Sequence, residues 1–272
     1  MVATSHFTNW KLDTRRSYQP GVPKAHYELE YLSQINRNAN YILLDILFEK
    51  VYYPAVKERP IQTIWIETEN IIHVTLPTAE AITGDKLTAF APTTTGILYG
   101  KGKGLEIIKQ LFDLSHLFDK IQVMDVVAAS FEAFVRRELA YRGLRIDAQE
   151  VLWDSIRACR VISFKEGNKI EPARSHFEEL QKGIRSLDNY LITGNFRIDE
   201  AVTASAKVAY LSAKLLREEF SPVKKYVGQG IHEMEIMHPD WNGLNRLKRF
   251  PDQSAFFYWY QCLSLLGLAD VA

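Results

Sequence analysis

The spacing of apolar and polar positions divides the chain into a strand-rich first part and a helical remainder. Residues 27–34 place Tyr27, Leu29 and Tyr31 on one side and Glu28 and Glu30 on the other, the period-two pattern of a half-buried strand. Residues 41–48 (YILLDILF) are almost continuously apolar, which predicts a central strand buried on both faces. Residues 61–67 and 71–76 are rich in Ile, Val, Thr and Trp, and Glu69-Asn70 between them supplies turn chemistry. The expectation is a hairpin.

After Pro77 the period becomes helical. Thr78 is placed to cap a helix running to Phe90, with Glu80 and Ala81 in its first turn and Pro92 ending it. Residues 96–104 form a glycine-rich, lysine-bearing loop. Residues 105–118 then carry Ile108, Leu111, Phe112, Leu114, Leu117 and Phe118 at helical spacing. Met124, Val127, Ala128, Phe131, Val135 and Leu139 follow in steps of three or four. Further amphipathic helices are expected over 148–164, 173–191 and 200–220, and an aromatic one from about Asp252. Strands first and then only helices predict an α+β fold, not alternating βαβ units. The expected division is a partial α/β part over 1–119 and a helical part over 120–272.

Composition narrows the function classes. The 272 residues are 47% apolar and 24% charged, ordinary values for a chain with a sizeable core. Thirty-three basic side chains balance thirty-three acidic ones, so any nucleic-acid contact must come from a local patch rather than a global field. Cys159 and Cys262 form neither a disulfide framework nor a zinc pattern and fit a reducing cytoplasm. Residues 1–21 hold no stretch resembling a signal peptide, and no run approaches the roughly 18 to 20 apolar residues of a membrane helix. The expectation is a cytoplasmic protein with no membrane partner.

Two motif-like segments fail on spacing. In GILYGKGKG, three residues separate Gly96 from Gly100 where a phosphate loop has four, and Lys101 precedes Gly102 rather than Ser or Thr. A link between two helices is the simpler reading. In HEMEIMH, His232 and His238 stand six apart where a zinc helix needs four, and Pro239 follows, which suggests a solvated helix end. Basic residues cluster at Arg136, Arg137, Arg142 and Arg145, and again at Arg246, Lys248 and Arg249; a solvated helix face is the simpler reading, and a phosphate-contacting patch the alternative.

Three polar positions interrupt apolar elements. Asp45 lies in the apolar strand, Lys86 in the helix AITGDKLTAFA beside Asp85, and Asp113 in the helix IIKQLFDLSHLF. Each alone reads as a satisfied ion pair or a solvent-facing residue. Together they supply two carboxylates and one amine, the groups that metal-assisted nucleotidyl transfer uses to hold Mg²⁺ and to neutralise a triphosphate.

The order ILLDIL, TAEAITGDKLTAFA, KGLEIIKQLFDLSHLF resembles that of AbiEii-type nucleotidyltransferases over about residues 27–118. The resemblance implies that Asp45 is the third metal carboxylate, Lys86 the lysine near the nucleotide, and Asp113 the late aspartate that orients Lys86 or the acceptor. It further implies an NTP substrate, Mg²⁺, an RNA acceptor such as a tRNA end, and a cognate antitoxin. Two departures stand out. Residues 1–44 hold neither the family's Gly-Ser pair nor its Asp-x-Asp, and Lys109-Gln110 replaces an Arg-Asp. One carboxylate cannot hold two ions, so the expectation is an incomplete catalytic hairpin in a sheet whose open edge pairs with a second copy. The alternative is an inert helical scaffold that binds protein or RNA.

Overall fold

The computed structural model describes residues 6–14, 22–64, 68–166 and 170–270. The chain divides into two units, Met1–Val51 and Tyr52–Ala272.

The first unit is a three-stranded antiparallel sheet, β1 (Phe7–Leu12), β2 (Lys24–Leu32) and β3 (Ala39–Leu47), in the order β1-β2-β3. Period-two alternation gives it a polar and an apolar face. On the polar face the Lys11 ammonium bridges Glu28 and Glu30, at 2.8 Å each. On the other, Trp10 packs on Tyr27 and Phe7 meets Tyr31 edge-on. Glu28, read from the sequence as part of the polar side, is only 2% exposed, because the Lys11 partner makes its burial tolerable. The expectation for 41–48 is corrected more sharply. Among the described strands β3 pairs with β2 alone, and Tyr41, Ile42, Leu43, Leu44, Leu47 and Phe48 are exposed. A continuous apolar run reports the character of a strand but not how many neighbours cover it.

The second unit opens on the hairpin of β4 (Val56–Pro60) and β5 (His73–Pro77), in register from Val56↔Pro77 to Pro60↔His73. The hairpin exists, but its first strand is the polar VKERP rather than 61–67. Ile61 adds one further bond, its N–H donating to Ile72 at 2.8 Å, and residues 65–67 of the expected strand lie outside the described residues. Propensity favoured the Ile- and Trp-rich stretch, whereas pairing with β5 selected the residues in register.

Among the described residues seven α-helices follow: α1 (Ala79–Ala89), α2 (Gly104–Phe118), α3 (Met124–Arg142), α4 (Ala148–Phe164), α5 (Ala173–Leu187), α6 (Ile198–Leu216) and α7 (Ser254–Leu266). Thr78 caps α1 as expected, its Oγ1 accepting from Ala81 N at 3.3 Å. Helix α5 gives way after Leu187 to a 3-10 turn over Asp188–Tyr190. Helix α6 starts earlier than expected because the Glu200 carboxylate reaches back to the N–H of Arg197, at 3.0 Å. It is apolar around most of its circumference: Ala201, Val202, Ala204, Ala206, Val208, Ala209, Leu211 and Ala213 are fully buried. It packs against α2, α4 and α7 as the centre of the unit.

Two crossings depend on glycine. A Cβ at Gly84 of α1 would stand 2.5 Å from backbone atoms of Phe131 and Val127 in α3, and one at Gly183 of α5 would stand 2.3 Å from the Gly104 carbonyl of α2. The HEMEIMH segment is not the helix end that its sequence suggested. Ile236 is fully buried, and its N–H and C=O are satisfied by the Asn245 side-chain amide at 3.0 and 2.8 Å, so this stretch runs as irregular chain.

Candidate functional site

Helix α1 turns Ala81, Thr83, Gly84, Leu87 and Thr88 to the core, which leaves Asp85 and Lys86 at its rim. Helix α2 does the same with Ile107, Ile108, Leu111 and Leu114, leaving Gln110 and Asp113 half-buried. The two rims meet. Lys86 Nζ donates to Asp113 Oδ2 at 2.7 Å and to Gln110 Oε1 at 3.1 Å. The Lys86 side chain is 26% exposed and that of Asp113 44%, so the pair is open to water rather than sealed in the core.

A second couple adjoins the first. The Tyr53 hydroxyl donates to Asp85 Oδ2 at 2.6 Å, and the Tyr53 ring packs on Phe134 of α3, centroids 4.7 Å apart. Burial pushes the Asp85 carboxyl above the usual aspartate range, while the Tyr53 bond and the Lys86 charge draw it back. Burial and the Asp85 carboxylate together hold the Tyr53 phenol well above its ordinary value.

The α1–α2 connection is anchored from beneath. Asp154 of α4, almost fully buried, accepts from Thr93 N at 2.7 Å and Thr94 Oγ1 at 2.8 Å, and Ser155 Oγ donates to the Phe90 carbonyl at 2.7 Å. These bonds fix the turn at the end of α1, and with it the direction from which α2 returns. Farther along the connection the glycine segment docks on α5. The N–H groups of Gly100 and Lys103 donate to the two oxygens of Glu179, at 2.8 and 3.1 Å. A carboxylate of the chain itself thus takes the donors that a phosphate loop would offer to a nucleotide.

Sequence reasoning singled out Lys86 and Asp113 and noted Asp85. It missed Tyr53 and Asp154, although Asp154 gave the same signal, a lone carboxylate inside the apolar run VLWDSI. The arginines of α3 are taken up locally: Arg136 pairs with Glu132, Arg142 with Glu138 at 3.0 Å, and Arg137 lies over the Tyr52 ring.

Asp45 belongs to the first unit. It stands opposite His26 across β2 and β3, with Oδ1 2.8 Å from His26 Nδ1 and its side chain 57% exposed. Among the described residues no three His, Cys, Asp or Glu side chains converge as metal ligands. Within the first unit Asp45, turned to His26, is a single carboxylate and does not by itself make a two-ion magnesium centre.

No helix among the described residues is long and apolar enough to cross a membrane. No curated protein matches the chain, and no solved structure does. One protein family does, described as "Nucleotidyl transferase AbiEii toxin, Type IV TA system", over residues 10–203, more than half of the chain and well past Phe118. The match thus runs through α3, α4 and α5 into α6, helices whose patterns in the sequence carried no resemblance beyond being helical. The chain belongs to the AbiEii nucleotidyltransferase toxin family of type IV toxin–antitoxin systems.

Proposed function

We propose that the rim where α1 meets α2 is the triphosphate end of a nucleotidyltransferase site. Lys86 supplies the cation that binds phosphate, and Asp113 orients it. The observation that carries this reading is the accessible Lys86–Asp113 contact at 2.7 Å. A half-exposed ion pair contributes little to stability, roughly 0 to 1 kcal/mol, so folding alone gives weak reason to interrupt two apolar helices with opposite charges. An ammonium fixed by a carboxylate and still open to solvent suits recognition of an anion.

The substrate is then an NTP, the acceptor an RNA end such as that of a tRNA, and the cognate partner an antitoxin, in the cytoplasm. Asp45 keeps the place of the third metal carboxylate by family resemblance. With no Asp-x-Asp in the sequence, we expect the chain to bind NTP but to show no measurable transfer of a nucleotide to tRNA.

The test is NTP binding followed by fluorescence, with labelled NTP, Mg²⁺ and total tRNA in a parallel transfer assay. Lys86→Met should weaken binding at least tenfold, a loss of about 1.4 kcal/mol or more. Unchanged binding by that variant would remove the phosphate reading. Robust tRNA labelling abolished by Asp45→Ala would overturn the expectation of incomplete metal ligation.

A further inference from the structure

A cleft of about 490 Å³ lies where α2 meets the segment between α5 and α6, the first turns of α6 and residues 250–252. That volume suits a side chain with its flanking backbone rather than an ion alone. Its apolar walls are aromatic. Phe112 and Phe196 meet edge-on, centroids 5.3 Å apart, and Phe250 lines the cleft with them. The fold sets these walls in place: the Phe196 N–H donates to Asp188 Oδ1 at 2.7 Å, and the His116 ring packs on Phe112 with centroids 4.3 Å apart. The polar groups mostly accept. Ser115 lines the cleft at 9% exposure, and its hydroxyl has no hydrogen-bond partner among the described residues, a costly state for a buried polar group. His116 Nδ1 lies 2.9 Å from the Phe112 carbonyl. A carbonyl only accepts, so Nδ1 carries the proton and Nε2 of the neutral ring is an acceptor.

Three carboxylates, Asp199, Glu200 and Asp252, stand exposed at the rim. Each also serves the fold. Asp199 Oδ1 meets Lys165 at 3.3 Å, Glu200 accepts the Arg197 N–H, and Asp252 accepts from Thr203 and Ser254. Those bonds account for the acids one at a time, but not for the buried Ser115 hydroxyl or the aromatic walls beside it. Among the described residues no lysine or arginine lines the cleft, so a phosphate-bearing ligand would meet three carboxylates and no fixed cation. We infer that the cleft binds an arginine side chain of a partner polypeptide. A guanidinium has five N–H donors and no acceptor, which matches a lining rich in acceptors. It also stacks flat on aromatic rings while its edge forks onto a carboxylate, and an ammonium does neither as well. Ser115 Oγ then gains the partner it lacks within the chain. The inference stands apart from the reading of Lys86 as a phosphate ligand.

The experiment titrates the nitrogen-15-labelled full chain with the blocked peptide acetyl-Gly-Arg-Gly-amide and follows backbone amide shifts. Matching peptides carry lysine or citrulline in place of the arginine. The arginine peptide should give saturable shifts at Ser115, His116, Asn195 and Phe196. It should bind roughly threefold or more tightly than the lysine peptide, which cannot stack or fork. Against the citrulline peptide, which keeps the shape and loses the charge, the margin should be about tenfold. Ser115→Ala should weaken the arginine peptide about threefold, and Asp199→Asn with Asp252→Asn about tenfold. Equal binding of the arginine peptide and either counterpart overturns the guanidinium reading, and shifts confined to other residues overturn the site. Both comparisons use the unsubstituted protein, so neither depends on a variant folding. Adenosine shifting the same amides at a lower concentration than the arginine peptide would overturn the inference in favour of a nucleobase pocket.

Discussion

The Tyr53 hydroxyl donates to Asp85 Oδ2 over 2.6 Å, joining the segment ahead of β4 to helix α1 one residue before Lys86. The Tyr53 ring is held in turn against Phe134, so the couple ties the start of the second unit to α3 as well as α1. Removing the hydroxyl in Tyr53→Phe keeps the ring contact and leaves a half-buried carboxylate short of a donor. We expect a loss of about 1 to 2 kcal/mol in urea unfolding at neutral pH. A loss below experimental error would mean that water replaces the phenol without cost.

Asp85 also sets a pH dependence whose sign follows from its burial. Its folded-state pKa is raised above the ordinary aspartate value, so its contribution is fully present below the unfolded pKa. That contribution is lost as pH rises through the higher folded pKa. Asp85→Asn removes the titration while keeping an acceptor for Tyr53. The variant should therefore gain stability relative to the parent between pH 3 and pH 7, as measured by urea midpoints at both. A relative gain toward acid would show that the Tyr53 bond and the Lys86 charge outweigh burial.

The crossing of α2 and α5 gives a prediction that runs against helix propensity. Alanine is favoured over glycine in a helix by about 1 kcal/mol, but a Cβ at Gly183 would lie 2.3 Å from the Gly104 carbonyl and 2.9 Å from the Leu105 nitrogen. Both neighbours are backbone, which cannot swing aside as a side chain would. Gly183→Ala should thus destabilise by about 1 to 3 kcal/mol and separate the helix that carries Gln110 and Asp113 from its support. Circular dichroism melting measures the first effect, and a stabilised variant would show that the crossing relaxes freely.

Much of this architecture was legible because its physics is local. Thr78 and Pro92 bracket α1, the Leu and Phe periodicity marks α2, and a lysine and an aspartate stand out where each interrupts an apolar helix. What could not be read was pairing between distant residues. Nothing near Glu28 in sequence announces that Lys11 will neutralise it, and nothing in YILLDILF tells whether one strand or two will flank it. Tyr53 and Gln110 are ordinary half-exposed residues until the fold brings Asp85 and Lys86 to them. The glycine loop was legible as a link, but not as a docking segment, because its anchor Glu179 lies more than seventy residues away.

The contrast between β3 and α6 predicts uneven local stability. Strand β3 exposes most of its side chains and pairs with one described neighbour, whereas α6 is buried among α2, α4 and α7. Local opening follows burial and contact density. Amide hydrogen exchange should be at least tenfold faster over Ala39–Leu47 than over Ile198–Leu216. Equal protection of the two would mean that β3 is covered in solution, and sedimentation would then show whether a second copy covers it.

Lys86 and Asp113 allow stability and function to be separated at one contact. Their ion pair is half-exposed, so Lys86→Met, Asp113→Asn and the double variant should each unfold within about 1 kcal/mol of the parent. The coupling from the double-mutant cycle should be of the same small size. Binding should respond differently. Losing Lys86 removes the phosphate ligand outright. Losing the Asp113 charge leaves an ammonium held by Gln110 alone, which is more positive and less fixed. Tripolyphosphate should then bind Asp113→Asn no more than a few-fold differently from the parent, while Lys86→Met loses tenfold or more. If instead both single variants lose several kcal/mol of stability and bind the anion as the parent does, the contact is a structural ion pair, and the assignment of Lys86 and Asp113 to the chemistry falls with it.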